Sequence, residues 1–258
     1  MRYLCCTIAI VAASVVIGCS GSEQTDTASQ TRSTADTVID MPSLQEKLDD
    51  RKAAFAERAT DEQKQVFSDA IDEVRRSGLL DSAISEGDRA PMFVLPDADG
   101  DSVSLAGLLE NGPVVVSWYR GGWCPYCSLE LAALRDALPA INDAGATLVA
   151  ISPEPPDSAA STVARGGLPF IVLSDIGNDV AHEYGIVFTL AEPAQPMYEQ
   201  AGLNLPEWNA TGTWELPLAA TYIIDTDGTV RYAFLDPDYR NRAEPSKIVH
   251  ILRQLQGT

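Results

Sequence analysis

Two cysteines three residues apart, Cys124 and Cys127, are the side chains best placed to do chemistry in this chain. They stand in Trp118-Tyr-Arg-Gly-Gly-Trp-Cys-Pro-Tyr-Cys-Ser-Leu-Glu-Leu131. An apolar run, residues 113–118, reads as a buried strand leading into the Gly-Gly turn. Leu129, Leu131, Leu134 and Leu138 mark the helix that follows. A thiol at a helix start meets unpaired backbone N–H groups and the positive end of the macrodipole, and both favour the thiolate. The thiolate is the reactive form, so this placement activates a cysteine. A second thiol one turn away can close a small disulfide ring, which suggests a nucleophile with a resolving partner. A purely structural disulfide explains the pair poorly, because a loop this short constrains the unfolded chain little. A structural zinc site needs about four ligands. The chain has no second cysteine pair, and His182 and His250 are far apart in sequence. Both histidines read as ordinary helix residues, and no metal or organic cofactor is expected.

The other three cysteines belong to the N-terminus. Arg2 is a short basic region, residues 8–17 are apolar, and Val16-Ile17-Gly18-Cys19 resembles a bacterial lipobox. Residues 1–18 are therefore expected to be a lipoprotein signal peptide, with Cys19 the lipidated residue and the protein an exported, membrane-anchored lipoprotein. Cys5 and Cys6 leave with that signal. Residues 19–40, rich in Ser, Thr, Gln and Asp, read as a disordered tether. The chain carries 18 basic and 37 acidic residues, a formal net charge of −19. Such an excess disfavours nucleic acid as a partner and leaves the lipid as the expected membrane contact.

Elements that must position the cysteines follow from period and capping. Residues 41–86 read as a helical extension. Ser43-x-x-Glu46 and Thr60-x-x-Gln63 open two helices, and the pair reads as a packing appendage. From residue 87 the pattern alternates: strands at 93–95 and 103–105 about a turn, 147–151 and 171–173, then a hairpin of 221–224 and 230–234 and a closing helix. Such an order makes residues 87–258 a mixed α/β sandwich. Residues 185–218 carry no clear period. Trp208 and Trp214 within them read as packing residues.

Several stretches resemble the alkyl hydroperoxide reductase / thiol-specific antioxidant family. They are Gly87-Asp88-x-Ala90-Pro91-x-Phe93-x-Leu95-Pro96-Asp97, the cysteine motif itself, and residues 168–190, 214–228 and 236–245. The resemblance implies a thioredoxin-like three-layer sandwich with a mixed central sheet. It further implies a thiol peroxidase that takes hydrogen peroxide or organic hydroperoxides and is recharged by a thioredoxin-like reductant. In the peroxiredoxin register Cys127 is the peroxidatic cysteine, Cys124 replaces the usual Thr or Ser, and Arg120 replaces the usual Pro. In the thioredoxin register Cys124 attacks and Cys127 resolves. Peroxiredoxins usually carry an Arg just before the strand at 221; here Ala219 stands there, and Arg240 or Arg242 is expected to supply the cation. Trp123 is a candidate pocket residue. Two other functions fit the motif: an extracytoplasmic thiol-disulfide oxidoreductase, and a copper-binding or redox-sensing module with His182 as a third ligand.

Overall fold

The computed structural model describes residues 43–257. These form one compact unit. The signal peptide, Cys19 and the tether lie outside the described residues.

The described residues open with α1 (Leu44–Arg58) and α2 (Asp61–Arg76). Thr60 and Gln63 complete a reciprocal capping box, whereas Ser43 accepts from the Glu46 N–H without the return bond. Glu244 caps this helix start from outside: its carboxylate accepts from the N–H groups of Leu44 (3.3 Å) and Gln45 (2.6 Å). The start of α1 is thus tied to a residue about 200 positions away. Gly78, at φ +77°, ends this helical pair and leads into the short α3 (Leu79–Ser82).

The strands β1 (Val94–Pro96) and β2 (Ser102–Ser104) form the expected hairpin, and α4 (Leu105–Leu109) follows. Next come β3 (Val114–Trp118), α5 (Pro125–Asp143), β4 (Thr147–Ser152), α6 (Pro156–Gly166), β5 (Ile171–Ser174) and α7 (Asp179–Glu183). Residues 185–218 hold only short pieces: β6 (Val187–Thr189), a 3-10 turn (Glu192–Ala194), α8 (Gln195–Gln200), α9 (Leu205–Trp208) and β7 (Glu215–Pro217). The chain closes with β8 (Thr221–Ile224), β9 (Val230–Phe234) and α10 (Pro245–Gln256).

The central sheet has the order β5-β4-β3-β8-β9. Within it β3 runs parallel to β4 and antiparallel to β8, so the sheet is mixed. Every residue of β3 is buried, as expected of a central strand covered on both faces. Its side chains alternate between two cores. Val114, Val116 and Trp118 pack with residues of the β1–β2 hairpin, α4 and α7, while Val115 packs with α5 and α10. Helices on both faces of one mixed sheet give the three-layer sandwich. Leu44 and Leu48 of α1 join a third cluster, with Tyr119, Cys124 and Cys127. The helical extension is therefore built into the core around the cysteines rather than appended to it. Among the described residues, no helix is long and apolar enough to cross a membrane.

Candidate active site

The site is assembled where β3 ends and α5 begins. Gly121 has φ +147°, a backbone position that L side chains rarely adopt, and a Cβ there would lie 2.2 Å from Trp123 Nε1. At Gly122 a Cβ would meet Thr162 Oγ1 at 2.0 Å. Both glycines are needed to pass the chain between Trp123 and α6. Cys124 is the N-cap of α5, Pro125 is its first residue, and Cys127 lies in its first turn. The preorganised φ of Pro125 suits a helix start, where a missing N–H costs nothing.

Glu154, just past β4, holds this turn. It is fully buried and accepts from Gly122 N–H (3.0 Å), Trp208 Nε1 (3.0 Å), the Tyr119 hydroxyl (3.1 Å) and, at 3.4 Å each, the Ser152 and Thr162 hydroxyls. Nothing in its local sequence distinguished it from a surface acid. Trp208, expected only to pack, anchors residues 185–218 to the cysteine turn through this bond. Trp214 is a packing residue, set against the Leu190–Leu216 cluster.

Both thiols are reduced and almost sealed, with Cys127 fully buried and Cys124 1% exposed. The Cys127 sulfur accepts from the Arg120 backbone N–H and from Arg242 Nη2, each at 3.4 Å. Arg242 is itself buried and paired with Glu130 at 2.7 Å. Burial pushes the Glu130 carboxyl up to about 7, against the opposing pull of Arg242. Of the two arginines expected to supply a cation, Arg242 reaches the sulfur. Arg240 instead lines the neighbouring cavity and is held by both carboxylate oxygens of Asp238. Glu130, three residues after Cys127 on the same helix face, was the one further site residue that helical spacing could have flagged.

The Arg120 side chain is 1% exposed and has no carboxylate partner among the described residues. It donates to the Tyr198 hydroxyl. Its guanidinium carbon lies 4.1 Å from the Tyr239 ring centre and 5.1 Å from that of Trp123. A buried cation without a carboxylate requires another source of negative charge. The thiol pair supplies it. A hydrogen bond from Cys127 brings the Cys124 thiol down to about 5; burial opposes this, and Arg120 and Arg242 assist it. Burial holds the Cys127 thiol well above its ordinary value, together with its bond to Cys124 and that residue's charge. The Cys124 thiol is thus drawn below its ordinary range and the Cys127 thiol held above it.

A cavity of about 240 Å³ opens beside these residues, lined by Cys124, Arg120, Trp123 and Tyr239 among others. Cys127 does not line it, nor does His182, whose Nε2 is 3.7 Å from a Glu215 carboxylate oxygen on the surface. The Trp123 ring lies at this cavity, edge to face with Tyr198 at 5.7 Å between centres.

The family model for the AhpC/TSA family matches residues 86–233. The chain belongs to the AhpC/TSA family. It is a peroxiredoxin-like oxidoreductase, a thiol-dependent peroxidase of thioredoxin fold. Among relatives of this family member, peroxiredoxin Q of Oryza sativa subsp. japonica chloroplasts is 33% identical over 183 residues, which cover 70% of this chain and 71% of the relative. Among solved structures, peroxidoxin BcpB of Mycobacterium tuberculosis superposes with a TM-score of 0.53 at 25% identity, over 67% of this chain and 98% of that one. A peroxiredoxin-like protein from Aquifex aeolicus shares the fold, with a TM-score of 0.54 at 18% identity over 67% of this chain and 88% of that one. Helices α1 and α2 and the stretch after β9 fall outside the family match.

Proposed function

We propose that this peroxidase reduces hydroperoxides with Cys124 as the attacking thiolate and Cys127 as the resolving thiol. The observation that carries the assignment is positional. Cys124 lines the cavity beside Arg120, the one buried guanidinium without a carboxylate among the described residues, and Cys127 is shut off from it. The Cys124 thiolate attacks one oxygen of the peroxide; an S–O bond forms, the O–O bond breaks, and the departing alkoxide or hydroxide takes up a proton. Arg120 is placed to stabilise that charge. Conversion of Cys124 to neutral sulfenic acid removes the negative charge that kept Cys127 protonated. Arg242 and the Arg120 N–H then favour the Cys127 thiolate. Its attack on the sulfenic sulfur forms the disulfide and releases water. A thioredoxin-type dithiol returns both cysteines to the reduced state by exchange.

A specific observation favours the reverse order: the two donors on the Cys127 sulfur match the peroxiredoxin register, in which Cys127 attacks. Sulfenate trapping in single-turnover mixing with hydrogen peroxide separates the two. With Cys124 attacking, Cys127→Ser accumulates sulfenate rapidly and Cys124→Ser loses about thirtyfold in rate, the ratio of thiolate at neutral pH between a thiol near 5 and an ordinary one. The opposite pattern assigns attack to Cys127. A reaction no faster than a free thiol's in the unaltered protein would remove the peroxidase reading itself. Family membership disfavours the protein-disulfide oxidoreductase and copper-binding alternatives.

The cellular setting belongs to the same proposal. Residues 1–18 export the chain, Cys19 carries the lipid, and the catalytic domain faces the periplasm or cell exterior on the 19–40 tether. The lipobox-like run before Cys19 supports this reading.

A further inference from the structure

The cavity over Cys124 is far larger than the smallest peroxide needs. Its volume is about 240 Å³, against roughly 30 Å³ for a water molecule in the liquid. Much of its lining is apolar: Phe55 of α1, Phe67 of α2, and Met197 and Leu203 from the segment between β6 and β7. Phe55 and Phe67 pack edge to face with centres 5.6 Å apart, which fixes the two helices against each other at the cavity. Three guanidiniums line the same space. Arg240 is neutralised by Asp238, and Arg120 faces the Cys124 thiolate. Arg51 of α1 is different. It has no ion pair among the described residues, and its Nε is shielded from solvent with no acceptor. In a chain of net charge −19 an unpaired arginine in an apolar cavity is not a by-product of a basic surface.

We propose that the cavity selects an organic hydroperoxide bearing an apolar chain and a carboxylate, with the chain against Phe55, Phe67, Met197 and Leu203 and the carboxylate on Arg51. This rests on the peroxidase reading of Cys124. It adds substrate choice, written largely by two helices that lie outside the family match. The step is the one given above: the thiolate takes the distal oxygen, and the hydroxy acid leaves after gaining a proton.

The test compares the hydroperoxide of an unsaturated fatty acid with the hydroperoxide of its methyl ester, both below their aggregation concentrations. Hydrogen peroxide serves as the reference substrate. We expect the acid to react at least about tenfold faster than the ester, the scale of one hydrogen bond to a charged group. In Arg51→Gln that ratio should fall close to one, and in Arg51→Lys it should be partly retained. Equal rates for acid and ester in the unaltered protein overturn the proposal, as does a ratio that survives Arg51→Gln. Binding of decanoate against decanol, read from tryptophan emission, tests the site without turnover. If no peroxide reacts, the peroxidase reading fails, and this arm decides the cavity alone. Preference for decanoate that is lost in Arg51→Gln upholds the anion site, and absence of that preference overturns it.

Discussion

At the scale of single residues, the two thiols are set apart: Cys124 is drawn below its ordinary range and Cys127 is pushed above it. Cys124 and Cys127 share an environment of two buried arginines and burial raises both thiols, yet their mutual hydrogen bond lowers Cys124 and raises Cys127. The consequence is a pH dependence with a definite sign. The Cys124 thiol is lowered to about 5, so its thiolate fraction grows as pH rises through that value and is complete by neutrality. The second-order rate with hydrogen peroxide should climb between about pH 4 and 6 and be flat above it; an ordinary thiol near 8.5 would still be climbing. Stopped-flow rates, with thiolate ultraviolet absorbance as a parallel titration, check this. Replacing Arg120 with Met removes a nearby cation and should move the midpoint up by about one unit. A rate that keeps rising tenfold per unit through neutral pH would contradict the assignment of charge to Cys124.

Among the elements, α1 carries more than its sequence suggests. It contributes Leu44 and Leu48 to the cysteine cluster and Arg51 and Phe55 to the cavity, and its start is held by Glu244 from the turn before α10. Glu244→Ala should cost about 1 kcal/mol, the scale of a lost helix cap. Hydrogen exchange should show faster amide exchange in the first turns of α1, with β3 and β4 unchanged. Uniform acceleration throughout the domain would mean that Glu244 supports the fold as a whole. The same elements show what the sequence could reveal. Apolar runs made β3, β4 and β8 readable, and reciprocal capping made α2 readable. Residues 185–218 were not readable because their pieces are three to six residues long, too short to display either period. The cysteines were legible because they are neighbours in the chain. Glu130 and Glu154 were not, since a buried acid looks in sequence like a solvated one. Likewise only the fold decides that Arg242 turns inward while Arg240 pairs with Asp238.

For the molecule as a whole, the five cysteines separate by position. Two form the redox pair of the described domain, and three fall in the first nineteen residues. If Cys19 bears the lipid, Cys19→Ala should release the protein from the membrane fraction or leave it as an uncleaved precursor. Fractionation with detergent phase partitioning checks this, and full membrane retention of a processed Cys19→Ala protein would refute the anchor. With −19 formal charges, an acid excess spread over the chain does not itself recruit an anionic substrate. Local placement of arginine does that instead.

The short connection from β9 to α10 reaches several parts of the site. Tyr239 stacks on Arg120, Arg240 lines the cavity, Arg242 reaches Cys127, and Glu244 caps α1. It begins just after the family match ends at residue 233. Two chains can therefore agree throughout the shared domain and still differ in what surrounds their sulfurs. Sorting relatives of this protein into functional subgroups should start from the run Asp236-x-x-Tyr239-Arg240-x-Arg242-x-Glu244, not from the cysteines that all members of the subgroup would hold in common.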